Sequence, residues 1–229
     1  MPTDLAWRAA LVGAGLRAAD AAVSPSRAFA RSLTEFYRLA RPVRAIHNGR
    51  YPLPSAPGRR SFVLTAGRLW DEAKNIHALD AAARGVDFEI YAAGPCVGPN
   101  GDAVTCRNLR LLGTLDGMAL ARAFASARVF ASVALYEPFG LAVLEAAQAG
   151  CALVLSDIPT FRELWDGAAL FVRPGDPDGI ARALEAAMRE PYLAEAARAR
   201  ARAYSAEAMT AATLALHRAL HRAPAFGTA

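Results

Sequence analysis

Two short stretches hold the residues best suited to chemistry. In YEPFGLAVLEAAQAG, Glu137 and Glu145 stand eight positions apart around a Phe-Gly turn in otherwise apolar sequence. In AGRLWDEAKN, Gly67 ends a strand pattern, and Arg68 and Lys74 then place two cations six positions apart at the entry to a helix. A guanidinium fork and a compact ammonium acting on one anion are a common way to hold a diphosphate. At the start of the helix containing Glu145, the main-chain N–H groups of Phe139, Gly140 and Leu141 are unpaired donors, and a glycine there lets an anion approach the backbone. That combination is a phosphate seat. Glu145, about one turn inside the helix, is placed for hydroxyls of a group attached to that phosphate, and Glu137 for a second group on the other side. From spacing alone a plainer reading stays open, in which one carboxylate is favoured by the helix dipole and the other is a solvated helix residue.

Composition sharpens the second cluster. Of the 26 basic residues one is Lys74, which leaves 25 arginines in a chain that is also rich in alanine. Arginine has replaced lysine almost everywhere, so the lysine kept at 74 stands out. The 229 residues are 54% hydrophobic and 21% charged, enough for a substantial core, and they exclude a disordered chain. A net charge of +5 suits anionic partners such as nucleotides, phosphates or acidic lipid. Cys96, Cys106 and Cys151 form no CxxC pair and no even framework, so they read as ordinary thiols of a reducing compartment. Apolar runs are too short for a membrane span, and no signal-like opening is seen, so the expectation is a soluble, cytoplasmic protein.

The elements that must position these residues follow from periodicity. Leu5 to Ala19 has an Ala-rich helical pattern, AAVSPS a short strand and turn, and Ser26 caps the amphipathic RAFARSLTEFYRLA. PVRAI is a strand, and HNGRYPLPSAPGRR is the best linker candidate. Beyond it, strands SFVLTAG, DFEIYAAG, LRLLG, ARVFASVA, CALVLSD and AALFV alternate with helices at Asn75–Arg84, Asp116–Ala125, Leu141–Ala149, Phe161–Leu164 and Asp178–Met188. Near-continuous apolar strands alternating with helices predict an α/β fold, a doubly wound parallel sheet covered on both faces. Ligands of such sheets bind at the carboxyl ends of the strands, where both clusters lie.

These residues carry a resemblance. Glu137 to Glu145 is similar to the E-x7-E signature of retaining GT-B glycosyltransferases of the family 4 type (glycosyl transferases group 1), and GRLWDEAKN resembles their GR-x5-KN donor-phosphate segment. The run from LGTLDGMALARAF through RPGDPDGIARAL resembles their carboxyl-terminal Rossmann-like domain nearly element for element. ARAYSAEAMTAATLALH is similar to their closing helix, which crosses back toward the amino-terminal domain. The resemblance implies that Arg68 and Lys74 neutralise the diphosphate of a nucleotide sugar as its bond to the sugar breaks. It also implies that Glu137 holds donor-sugar hydroxyls, that Phe139 to Leu141 offer backbone N–H groups beside Gly67, and that Glu145 binds the ribose. Sugar transfer would then proceed with retention, by front-face attack, with no cofactor and no metal.

Residues before the linker resemble only the tail of that family's amino-terminal domain, in AADAAVSPSRAFARSLTEFY and VRAIHNG. The expected organisation is therefore a remnant over 1–50, a linker at 51–60, the nucleotide-sugar-binding domain at 61–200, and a closing helix and tail at 201–229. Expected partners are a nucleotide sugar, a glycan or lipid-linked acceptor, and a chain supplying the acceptor half or else self-association, with peripheral membrane contact and no nucleic acid. A noncatalytic nucleotide-sugar-binding remnant and one chain of a two-chain enzyme are the alternatives.

Several other patterns read as structural. GAGLRA at Gly13–Ala18 lies in a helical pattern instead of a βαβ unit, and DPD at Asp176–Asp178 is a turn and N-cap. Thr160 and Glu163 make a capping box within one helix. His47, His77, His217 and His221 show no metal spacing, and Arg27, Arg31 and Arg38 form a solvated helix face.

Overall fold

A computed structural model describes residues 3–52 and 60–222. The chain opens with α1 (Thr3–Ala18), β1 (Val23–Ser24), α2 (Arg27–Phe36) and β2 (Arg44–Ala45). It continues through β3 (Arg60–Ala66), α3 (Ile76–Ala82), β4 (Ile90–Ala93), β5 (Arg110–Gly113), α4 (Gly117–Ser126), β6 (Ala127–Ser132) and α5 (Leu141–Ala149). Then come β7 (Ala152–Ser156), α6 (Pro159–Trp165), β8 (Leu170–Val172), α7 (Pro177–Arg189), α8 (Tyr192–Ala201) and α9 (Ala206–Arg222).

Strands β3 to β8 form one parallel sheet in the order β5-β4-β3-β6-β7-β8. The expected α/β architecture is thus present. Successive strand residues pack on opposite faces because the side-chain period is two. Leu64, Phe130, Leu153 and Leu155 join Phe124 of α4 and Leu144 of α5 on one face, while Val63, Val129 and Val154 join Leu79 of α3 and Ile180 and Leu184 of α7 on the other. Every residue of β7 is buried, which is why it reads as an unbroken apolar run. Strand order reverses between β3 and β6, so the loops leaving those two strands flank a crevice at the switch point.

The structure departs from several sequence expectations. Helix α8 was not among them. Its buried residues Leu193, Ala197 and Ala201 recur every fourth position, but two are alanines on an alanine-rich helix, so polar and apolar faces contrast weakly. Helix α2 stops at Phe36, short of Ala40, where the chain turns through Arg38 at φ 48°. Ser26 and Asp176 do cap α2 and α7, accepting from Phe29 N and Gly179 N. Most of the linker, 53–59, lies outside the described residues, as does the tail beyond 222. Among the described residues no helix is long and apolar enough to cross a membrane, and no cluster could hold a metal.

The Thr160/Glu163 capping box is a correction. Ile158 is the N-cap of α6, and no side chain caps it. Glu163 points away from its own helix, accepting from Arg27 N at 2.8 Å and Ala28 N at 2.6 Å, with His47 Nε2 at 3.0 Å. It therefore caps α2, whose first turn contains no acid of its own. Burial raises the Glu163 pKa, but the hydrogen bonds from Arg27 N, His47 and Ala28 N outweigh it, leaving the carboxyl below its ordinary value. A depressed carboxylate pKa gives stability that is present above the unfolded value and is lost as pH falls through the folded one. Glu163→Ala is expected to cost about 1–3 kcal/mol at neutral pH. Thermal unfolding should show that deficit shrinking as pH falls below the ordinary glutamate range and through the depressed folded value.

Candidate functional site

The crevice at the switch point is an open cavity of 410 Å³. Its walls come from the end of β3 and the loop after it (Thr65 to Leu69, with Lys74), from Phe130 and Ser132 of β6, and from Glu137 to Val143 at the start of α5. Seven of the eight sequence-predicted residues line it: Gly67, Arg68, Lys74, Glu137, Phe139, Gly140 and Leu141. Residues 63 positions apart thus meet in one place, as Lys74 Nζ stands 2.6 Å from Glu137 Oε2.

Local folding explains how each is held. Asp71 caps a 3-10 turn over Glu72–Lys74 by accepting from Ala73 N, and Asn75 ends it in the left-handed region. The Asn75 amide then donates to Val133 O at 2.9 Å and Pro174 O at 2.8 Å, tying the Lys74 turn to the loops after β6 and β8. Leu135 N donates to Ala73 O as a further tie. Lys74 and Glu137 keep only 23% and 15% side-chain exposure, so the pair is shielded enough for its charges to matter. Arg68 is different: it is 63% exposed, donates to Asp71 Oδ2 at 2.8 Å and lies over the Trp70 ring. It flanks the cavity as a more exposed cation.

Helix α5 begins without a side-chain cap, and Gly140 at its N-cap has φ 88° and ψ 67°, a conformation that favours glycine. A β-carbon there would meet Phe161 and Val143 at 3.1 Å, so glycine also permits the close packing of this turn. The uncapped first turn leaves backbone donors facing the cavity. Glu137 Oε1 lies 3.4 Å from Phe139 N, so one carboxylate touches both the ammonium and the backbone. Burial and then the neighbouring Glu137 charge hold the Tyr136 hydroxyl above its ordinary pKa.

Glu145 departs from expectation. It is not among the cavity residues, and its carboxylate pairs with Arg50 at the end of the segment before the linker. Sequence reasoning also missed Pro25 and Asn48, which line the cavity from the amino-terminal side, and Thr65 and Ser132 within it. Asn48 lies in VRAIHNG, where its neighbours suggested the beginning of a linker. His217 and His221 are exposed, as are Arg27 and Arg31 on α2, whereas Arg38 lies past the end of that helix and so is not part of its face.

Comparison with known proteins bears on the family and the fold. Residues 60–190, which hold both clusters, match the family described as Glycosyl transferases group 1. A phosphatidyl-myo-inositol mannosyltransferase of Mycolicibacterium smegmatis is 35% identical over 157 residues, covering 62% of this chain and 39% of that protein. The O-antigen chain mannosyltransferase B of Escherichia coli is 31% identical over 116 residues, 49% of this chain and 30% of that protein. The chain thus spans well under half the length of these curated relatives. Sucrose-phosphate synthase from Thermosynechococcus elongatus superposes with a TM-score of 0.80 at 24% identity, covering 95% of this chain and 62% of that one. An Anabaena protein, HepE, in complex with UDP-glucose gives 0.79 at 16% identity, covering 93% and 68%. Both likenesses bear on the fold, which is that of GT-B glycosyltransferases. Since the family match takes in 131 of the 229 residues and both candidate clusters, the chain belongs to the group 1 glycosyl transferases.

Proposed function

We propose that this chain forms the donor-binding part of a retaining glycosyltransferase of the family 4 type, with a nucleoside diphosphate sugar as donor and a glycan or lipid-linked hydroxyl as acceptor. The observation that carries the reading is the Lys74–Glu137 pair at 2.6 Å, set in a switch-point cavity beside the uncapped start of α5. Lys74 faces the diphosphate, and Glu137 fixes the direction of that ammonium while its remaining lone pairs accept from sugar hydroxyls. Backbone N–H groups of Gly140 and Leu141 complete the anion seat, while Phe139 N donates to Glu137. Arg68 adds charge from the rim.

In the proposed step the bond from the anomeric carbon to the diphosphate oxygen breaks as the acceptor oxygen bonds to the same face of that carbon. The acceptor proton passes to the departing phosphate oxygen. Charge grows on that phosphate in the transition state, so a fixed ammonium acting there contributes most to rate. No metal or other cofactor enters this scheme. Glu145 takes the ribose in this reading, where its hydroxyls compete with Arg50 for the carboxylate. The relatives' names add a hint that the transferred sugar is a hexose such as mannose. The acceptor half lies outside the cavity described here, and the reading assigns it to elements beyond this donor-binding part.

Calorimetric titration of the chain with UDP-, GDP- and ADP-sugars tests the assignment. One donor is expected to bind, with the nucleoside diphosphate alone retaining most of the affinity. A chain that is folded by circular dichroism yet binds no member of the panel would overturn it.

A further inference from the structure

Residues 22–48 precede the group 1 match, yet they touch the candidate site at several points. Pro25 and Asn48 line the cavity, and the Phe29 ring meets Tyr136 edge to face at 5.9 Å. Between them lies Ser26, which is fully buried. Its Oγ accepts from Phe29 N at 3.2 Å and donates to Pro138 O at 2.7 Å, across 112 positions of chain. A hydroxyl has one proton, and here it goes to the Pro138 carbonyl.

That carbonyl has a particular neighbour. Pro138 C=O and Phe139 N–H belong to one planar trans peptide group, so fixing the oxygen on one side fixes the N–H on the opposite side. Phe139 N–H points to Glu137 Oε1, and Glu137 in turn holds Lys74. Ser26 itself is anchored from behind, because Glu163 grips the next two backbone N–H groups, of Arg27 and Ala28.

We propose that Ser26 is a positioning residue for the anion-binding turn at 137–141, and that the segment ahead of the linker is a working wall of the donor cavity. The proposal rests on the donor-site reading for its consequence in binding, while the clamp itself does not depend on it. A free carbonyl at 138 would let the 138–139 peptide plane rotate, turning the Phe139 N–H away and loosening the carboxylate that aims Lys74.

The test compares Ser26→Ala, Ser26→Thr and Glu163→Ala by hydrogen exchange of peptides spanning 136–144 and by titration with the donor found in the panel. Ser26→Ala should raise exchange at 137–141 several-fold and weaken the donor about tenfold, the loss of one well-placed hydrogen bond. Ser26→Thr keeps the hydroxyl and should restore both to within about twofold. Glu163→Ala removes the anchor behind Ser26 but leaves its hydroxyl on Pro138, so exchange at 137–141 should rise clearly less than in Ser26→Ala. If the alanine variant does not fold, Ser26→Gly replaces it, because glycine is tolerated at an N-cap and likewise lacks the hydroxyl. Unchanged exchange at 137–141 without the hydroxyl, or an equal rise in Glu163→Ala, would overturn the proposal. If the wild type binds no nucleotide sugar, the donor reading fails while the exchange comparison still decides the clamp.

Discussion

Lys74→Ala is expected to lower affinity for the nucleoside diphosphate sugar by about 10–100-fold, the span of one lost hydrogen bond to a charged group. Two effects combine. The diphosphate loses its fixed ammonium, and Glu137, at 15% exposure, loses the cation that neutralises it beside an incoming anion. Stability should fall as well, and the second effect can be separated from the first. In the double variant Lys74→Ala with Glu137→Gln, the uncompensated carboxylate is gone, so the melting temperature should recover while the share of the affinity loss due to the missing ammonium remains. Lys74→Arg should rescue only in part, because a broad planar fork cannot occupy the place of a compact ammonium 2.6 Å from Glu137. Arg68→Ala should cost less than Lys74→Ala, since that guanidinium is 63% exposed and already bonded to Asp71. Calorimetric titration of the four variants measures the ranking. Equal losses at 68 and 74 would mean that exposure does not grade the two cations.

Much of this arrangement was legible in the sequence because each feature has a local cause. The lone lysine in an arginine-rich chain, the glycine at 140 and the two clusters at strand ends all follow from short-range spacing. The alternation of apolar strands with helices specified the sheet for the same reason, since a covered parallel sheet needs strands apolar on both faces. Asp176 was readable as a cap instead of a metal ligand because its partner, Gly179 N, is three residues away.

What escaped the sequence depends on partners far along the chain. Glu163 sits three positions after Thr160, the spacing of a capping box, yet its carboxylate serves α2, 135 and 136 positions earlier. Local spacing cannot report a partner of that kind. The Arg50–Glu145 pair, Pro25, Asn48 and the Ser26–Pro138 bond were hidden likewise. All of them join the segment before the linker to the sheet domain, and the sequence reading treated that segment as a remnant beside the domain. Tyr204 shows the same long-range logic, as its ring meets His47, Phe139 and Trp165 edge-on or tilted while its hydroxyl donates to Leu164 O. One aromatic residue beyond α8 thereby links the amino-terminal segment, the anion-binding turn and α6.

Gly94→Ala should produce the largest loss of stability of any single methyl addition considered, and its cause lies in the sheet that supports the site. Gly94 follows β4 at φ 140°, and a β-carbon there would lie 1.8 Å from the Gly67 carbonyl oxygen and 2.9 Å from its carbon. Both are backbone atoms, so no side-chain rotation relieves the clash. Nor can the two chains easily part, because Gly67 N donates to Ala93 O at 3.0 Å and Gly94 N donates to Gly113 O at 2.8 Å. Relief requires separating the ends of β3 and β4, where the loop carrying Arg68 and Lys74 begins. A cost of about 3 kcal/mol or more is expected, a melting temperature lower by roughly 10 °C for a chain of this size. Gly117→Ala is the matched control: a β-carbon there meets nothing within 4 Å, at the first position of α4. It should melt within about 2 °C of wild type, since alanine favours the helix. Thermal unfolding of the two variants, followed by donor titration below the transition, separates fold from site. If the strand ends part as argued, Gly94→Ala will bind donor weakly even where it remains folded, because the loop holding both cations starts at the atom that must move. Melting of Gly94→Ala alongside Gly117→Ala would mean that β3 and β4 do not approach so closely at their ends.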